Sequence, residues 1–155
     1  MSIRNSSKAL IINNNKILIN KCRYDNGDIY YDLPGGGQKE FKSMEEALFR
    51  EVLEETGYEI RILRFAALTE EIYIGKNNRI RKSGYAHRIM HIFLAELSGN
   101  QQFLPTEHDL HQEKSVWLPL EEADTINLLP AALKGKLSML LHSSAPFWFG
   151  CHYVQ

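Results

Sequence analysis

Cysteine is scarce: the 155-residue chain has two, Cys22 and Cys151. Two thiols so far apart make neither a metal-type cluster nor a disulfide framework, so the chain reads as reduced with incidental thiols. Long apolar runs are missing too. Near the N-terminus only residues 9–12 are continuously apolar, too short for a signal-peptide core. No segment approaches the roughly 18 apolar residues that span a bilayer. A soluble, cytoplasmic chain without a membrane partner is the expectation. Nor does either sign of charge dominate: 18 Lys and Arg stand against 19 Asp and Glu, a formal net charge of -1. Sequence-independent binding to nucleic acid needs a basic excess, so nucleic acid is not an expected partner. Internal repeats and low-complexity tracts are absent.

The chain does have an ordinary globular balance, with 44% hydrophobic and 24% charged residues, enough to build a core. Its length suits one domain over residues 1–155. KALII and KILIN flank Asn13, Asn14 and Asn15, the pattern of a β-hairpin with an Asn-rich turn. A second turn falls at 25–28, and IYYDL is a short strand running into Pro34 and three glycines. Ser43, with Glu46 three residues on, predicts a capping box opening a helix from Met44 to about Thr56, and Gly57 should terminate it. Strands are expected near 61–68, 70–74, 87–97 and 116–118, a loop over 76–83, a helical turn at 121–123 and a helix over 131–142. In the strand after Tyr85, alternation puts His87, Ile89, His91, Phe93 and Ala95 on one face, with His91 as a core histidine. Residues 145–155 are an aromatic tail that suits packing on its own core or on a second copy, as a homodimer, equally well. The mixed order of strands and helices predicts an α/β sandwich.

Chemistry is concentrated between Gly35 and Tyr58. At about 100° per residue, Glu51, Glu54 and Glu55 share one helix face beside an apolar stripe of Leu48, Phe49, Val52 and Leu53. Three carboxylates on one face repel one another. Such a face is either simply solvated or holds a divalent cation, since hard ions take carboxylate oxygens. The glycines before it permit positive φ and a close approach to a ligand.

This stretch resembles the box of the Nudix hydrolases: Gly, five residues, Glu, seven residues, then Arg-Glu-hydrophobic-x-Glu-Glu-x-Gly-hydrophobic. Gly36 matches the opening glycine, and Arg50, Glu51, Val52, Glu54, Glu55 and Gly57 match the second half in register. YYDLPGGGQ, Ala47 and VWLPLEEAD look like the family as well. One position departs, because Lys42 stands where the box has its first glutamate. That glutamate commonly pairs with the box arginine; here Glu46, four residues before Arg50, is available instead.

The resemblance implies an α/β/α sandwich with a mixed central sheet. It also implies hydrolysis of a nucleoside diphosphate linked to another moiety, on an ADP-ribose-like or (d)NTP-like small nucleotide, with Mg²⁺ or Mn²⁺ as cofactor. It makes the Gly36 carbonyl, Glu51, Glu54 and Glu55 metal ligands, Glu54 or Glu55 the general base, and Arg50 the residue that orients Glu51. Lys42 leaves a second reading open, a weak or inactive domain that senses nucleotides. Substrate contacts are expected from Arg23, Tyr31, Gly35, Gly37 and Glu113, with Glu107 and Glu113 as acids of a later loop. Tyr24, Tyr30, Tyr73 and Tyr85 are aromatic candidates for stacking on a base, although most such rings are core or hairpin pairs.

The neutral total also conceals local charge. Residues 40–59 hold seven glutamates against Lys42 and Arg50. Lys76, Arg79, Arg81, Lys82 and Arg88 form a run without an acid, so a basic segment could face the acidic helix across a pyrophosphate.

Overall fold

The computed structural model describes residues 2–75 and 84–155. Lys76, Arg79, Arg81 and Lys82, and with them the expected loop and most of the basic segment, lie outside the described residues.

Strand β1 (Ser2–Asn13) turns through Asn14 and Asn15, both at positive φ (49° and 59°), into β2 (Lys16–Arg23). That left-handed pair matches the right-handed twist of the strands it joins. Only three residue pairs hold β1 to β2, Ile11–Leu18 through Asn13–Lys16. Beyond them the strands part. β3 (Ile29–Asp32) pairs with β2, bends at Leu33-Pro34, and continues as β4 (Gly35–Gly37) against β1.

Helix α1 (Met44–Thr56) follows, then β5 (Tyr58–Tyr73), β6 (Tyr85–Gln102), β7 (Gln112–Pro119), α2 (Leu120–Ala123), β8 (Leu128–Leu129), α3 (Leu137–His142) and β9 (Phe147–Val154). The strands form one mixed sheet in the order β8-β3-β2-β1-β6-β5-β9, with β4 on β1 and β7 on β2. β1–β6, β5–β9 and β3–β8 are parallel, and the remaining pairs antiparallel.

Leu48 and Val52 of α1 pack on Ala9, Ile11, Leu18, Ile60 and Ala95 on one face of the sheet. On the other face Leu10, Ile17, Ile19, Met90 and Ile92 are covered by Ala123, Leu133, Leu137 and Leu140. Helices on both faces of a mixed sheet make the α/β/α sandwich, with β6 alternating between the two cores as its sequence pattern predicts.

Several elements differ from expectation. The two strands expected at 61–68 and 70–74 are one, β5, whose register against β6 shifts three times. Bulges of this kind bend a long strand and interrupt its alternation. The helix expected over 131–142 is broken: a 3₁₀ turn (Ala131–Leu133) precedes Gly135 at φ 74°, and only Leu137–His142 is α-helical. The aromatic tail is β9, laid along β5 in the chain's own sheet, with Trp148 and Tyr153 exposed. Among the described residues no helix is long and apolar enough to cross a membrane.

Candidate active site

Helix α1 is set by its ends. Ser43 Oγ accepts from Glu46 N (3.1 Å) and Glu46 Oε2 accepts from Ser43 N (2.8 Å), a complete capping box. Gly57 closes the helix at φ 76°, donating to Leu53 O. Fixed at both ends, with Leu48 and Val52 on the core, the helix presents Arg50, Glu51, Glu54 and Glu55 to the glycine strand β4.

Arg50 gathers two of the carboxylates. Its Nη2 donates to Glu51 Oε1 (2.6 Å) and its Nη1 to Glu54 Oε2 (2.9 Å), while Nη2 also approaches Gly37 O (3.4 Å). Burial works against the guanidinium charge, but Glu51 and Glu54 outweigh it and raise the Arg50 pKa. The partner anticipated for Arg50 was Glu46. Instead Glu46 serves the cap and pairs with Lys42 (Nζ–Oε1, 3.2 Å). Lys42 thus does not leave Arg50 unpaired, because Glu51 and Glu54 in the same helix satisfy it.

Glycine is required where Glu51 rests on β4. A Cβ at Gly36 would lie 2.6 and 2.7 Å from the two Glu51 carboxylate oxygens, so only a bare backbone accommodates them. At Gly35, φ is 130° and an added Cβ would lie 2.9 Å from Lys8 Cα. No L side chain fits there.

Glu55 points a different way, into the gap where β1 and β2 part. It is 3% exposed, and its Oε2 accepts from Asn20 Nδ2 (2.8 Å) and Gly35 N (3.0 Å). Ser115 Oγ fixes Asn20 in turn, donating to its Oδ1 (2.7 Å). Burial pushes the Glu55 carboxyl up to about 8, with Asp109 adding to the rise. Lys8 and the hydrogen bonds from Gly35 and Asn20 pull the other way. Lys8 is itself buried, with Nζ 3.0 Å from both Asp32 Oδ2 and Leu33 O. Burial works against its charge, but Asp32 and then Glu55 outweigh it and hold its pKa above the ordinary lysine value. The second Asp32 oxygen, Oδ1, is buried without a hydrogen-bond partner among the described residues.

Glu51 and Glu54 are therefore brought together, while Glu55 sits beyond Gly35–Gly36 in its own pocket of donors. No group of three or more His, Cys, Asp or Glu side chains converges as a metal cluster among the described residues. The available donors are nonetheless all oxygens on one short stretch of helix and strand. The position Arg50 holds between Glu51 and Glu54 is one for which a hard divalent cation would compete.

The other candidates are dispersed. Arg23 and Glu113 form an exposed ion pair with each other, joined by Lys21. Glu113 lies in β7 rather than in a loop. Tyr31 is half-buried against the core, and Tyr24 stacks on Tyr30 at 4.1 Å. Gly37 packs under the Arg4 guanidinium, whose Cζ would be 2.8 Å from an added Cβ. Glu107 lies where its loop meets the helix, since Thr106 N and Glu107 N donate to Glu54 O (2.9 and 3.1 Å). Arg88, grouped by sequence with the basic surface run, is instead half-buried in β6 and pairs with the buried Glu71 at 2.7 Å. His91 is half-buried beside Ser6 O (3.3 Å), and burial lowers its pKa.

Lys8, Asn20, Asp109 and Ser115 carried no signal in sequence, and Asp32 carried one only as part of the YYDLPGGGQ run, without a role. They reach the site only because β1, β2, β3, β7 and the loop after β6 meet at the gap.

Comparison with known proteins agrees with this fold. The 8-oxo-dGDP phosphatase NUDT18 of Danio rerio is 29% identical over 128 residues, which cover 79% of this chain and 35% of the relative. The chain thus spans about a third of that protein. A NUDIX hydrolase from Nitrosomonas europaea superposes with a TM-score of 0.73 at 16% identity, covering 94% of this chain and 93% of the other. An ADP-ribose pyrophosphatase from Streptococcus suis does so with a TM-score of 0.61 at 18% identity, covering 99% and 100%. The model of the NUDIX domain matches residues 3–140, and the chain belongs to that family.

Proposed function

We propose that the chain is a divalent-metal-dependent pyrophosphohydrolase, acting on a nucleoside diphosphate linked to another moiety. The observation that carries this reading is the seating of Glu51 on the bare backbone of Gly36, with Glu54 drawn beside it by Arg50. Glu51, Glu54, Glu55 and the Gly36 carbonyl would hold Mg²⁺ or Mn²⁺. When bound, the ion offsets the charge of the pyrophosphate and acidifies water. Support for the fit comes from the donor set and from Glu55, a desolvated carboxyl whose ionised form gains from a nearby cation.

Arg50 keeps Glu51 and Glu54 oriented and limits their mutual repulsion. Glu54 is the better placed to take the proton as the water oxygen bonds to phosphorus and the bridging oxygen leaves with the other phosphate. It is partly open to solvent, whereas Glu55 is fixed by two donors. The sensor reading drew on Lys42, and the pairing of Lys42 with Glu46 away from Arg50 weakens it.

The relatives are named for activity on 8-oxo-dGDP and ADP-ribose, which suggests the substrates to try first. The test is turnover of ADP-ribose, NADH, dinucleoside polyphosphates and normal and oxidised (d)NTPs with Mg²⁺ or Mn²⁺, with products identified. Release of a mononucleotide, pyrophosphate or phosphate from one class is expected, and no turnover on any member overturns the reading.

A further inference from the structure

Away from the carboxylates, the start of β1, the loop from β4 to α1 and the start of β6 enclose an open cleft of about 610 Å³. That is ample room for a nucleotide-sized fragment. Its lining includes Arg4, Asn5, Lys39, Phe41, Lys42 and Tyr85, and its lining residues number three cations against one carboxylate, Glu40, with Lys42 also paired to Glu46 at the cleft's margin. The Arg4 guanidinium lies over the Tyr85 ring, 5.1 Å from its centroid. Phe41 is fully exposed at φ 61°, a left-handed conformation that is unfavourable for a bulky residue and that holds the ring out in solvent.

The cleft adjoins the candidate active site through one short strand. Arg4 packs on Gly37 and Glu51 on Gly36. Adjacent Cα atoms are about 3.8 Å apart, and successive residues of a strand face opposite ways. The cationic cleft and the carboxylates therefore sit back to back across β4, which among the described residues pairs with β1. Arg50 lies on Gly37 O and Glu55 on Gly35 N, so an extended ligand passing around β4 from the cleft meets these side chains. Lys42, the position at which the box departs from its pattern, is one of the three cations, so the departure changes the charge of the cleft while leaving Arg50 satisfied.

We propose that this cleft is the subsite for the far end of the substrate, beyond the two phosphates joined by the scissile anhydride, and that it selects a far end carrying a further phosphate over an uncharged one. The inference rests on the hydrolase reading for its place in the reaction. Arg4, Lys39 and Lys42 supply charge-assisted donors to the phosphate, and Phe41 and Tyr85 flank whatever the phosphate is attached to.

The test begins without metal or turnover. Ribose 5-phosphate, and ribose as its neutral counterpart, are titrated at low salt into the metal-free protein, and backbone amide NMR shifts are followed. Saturable shifts at Arg4, Asn5, residues 39–42 and Tyr85 with ribose 5-phosphate alone are expected. Lys42→Ala and Arg4→Ala should each weaken binding about fivefold or more, the loss of one charge-assisted contact. Equal response to ribose, shifts confined to α1, or unchanged affinity in both variants overturns the proposal. If a substrate turns over, Lys42→Ala should raise KM for dinucleoside polyphosphates while leaving KM for nucleoside diphosphate sugars with an uncharged far end unchanged, and an equal change in both overturns it. Binding without turnover of any substrate supports the phosphate site and overturns only the hydrolase reading.

Discussion

Glu55→Gln should make the metal-free protein more stable while abolishing its activity. The Glu55 carboxyl is 3% exposed and pushed up from 4.5 to about 8, mainly by burial. A carboxyl whose folded pKa is raised favours folding when protonated. Its contribution is intact below about 4.5 and lost as pH rises through about 8. At about 1.4 kcal/mol per pKa unit, ionisation in the unfolded chain alone costs the fold about 3 kcal/mol by pH 7 and more by pH 8. Glutamine has no proton to lose, and its Oε1 can still accept from Asn20 Nδ2 and Gly35 N. Its added N–H groups lack an evident acceptor, which returns about 1 kcal/mol. A net gain of about 2 kcal/mol at pH 7 remains, or about 4–8 °C in Tm for a chain of this size. The assay is thermal unfolding of both proteins in chelator from pH 5 to 9. The difference should vanish or reverse near pH 5 and widen toward pH 8. A variant no more stable than the wild type at pH 8, or a difference independent of pH, would refute the assignment of Glu55 as a strained buried acid.

Gly36→Ala should keep the fold, because the added methyl meets the movable end of Glu51 rather than backbone. Turnover should fall about 100-fold or more as the carboxylate is displaced, read from kcat with Tm as control. Ser43→Ala removes the side-chain half of the capping box and should cost about 1 kcal/mol in urea unfolding, with kcat little changed. Arg88→Ala strands the Glu71 carboxylate, which also accepts from Tyr73 Oη at 2.9 Å. A loss of about 3–5 kcal/mol is expected, and a loss below 1 kcal/mol would show that the pair is solvated.

Local signals carried far in this chain. Ser43 with Glu46 and Gly57 delimit α1 because capping is settled within four residues. Asn14 and Asn15 mark the first hairpin because a tight turn needs positive φ there. The neighbourhood of Glu51 and Glu54 was legible for the same reason, since one helix face is a matter of spacing, but spacing did not show that Glu55 enters a separate pocket on Asn20 and Gly35. What escaped was long-range. Asn20, Ser115 and Lys8 approach Glu55 or its partners from positions 35 or more residues away, and no periodicity announces such contacts. Arg88 looked like part of a basic surface run, yet its pairing with Glu71 comes from the β5–β6 register, which bulges make unreadable from alternation. Glu113 lies in β7 because Lys21 and Cys22 of β2 pair with that end of the strand. Arg50 chose Glu51 and Glu54 over Glu46 because the capping box had already engaged Glu46.

The central claim, water attack at phosphorus beside the carboxylate helix, is tested most directly by running the best substrate of the panel in ¹⁸O-labelled water with Mg²⁺. Mass spectrometry then locates the label. The account predicts ¹⁸O in a phosphate group of one product, with formation of that product slowed about 100-fold or more in Glu54→Gln. Label in a sugar hydroxyl, or wild-type turnover in Glu54→Gln, would contradict it.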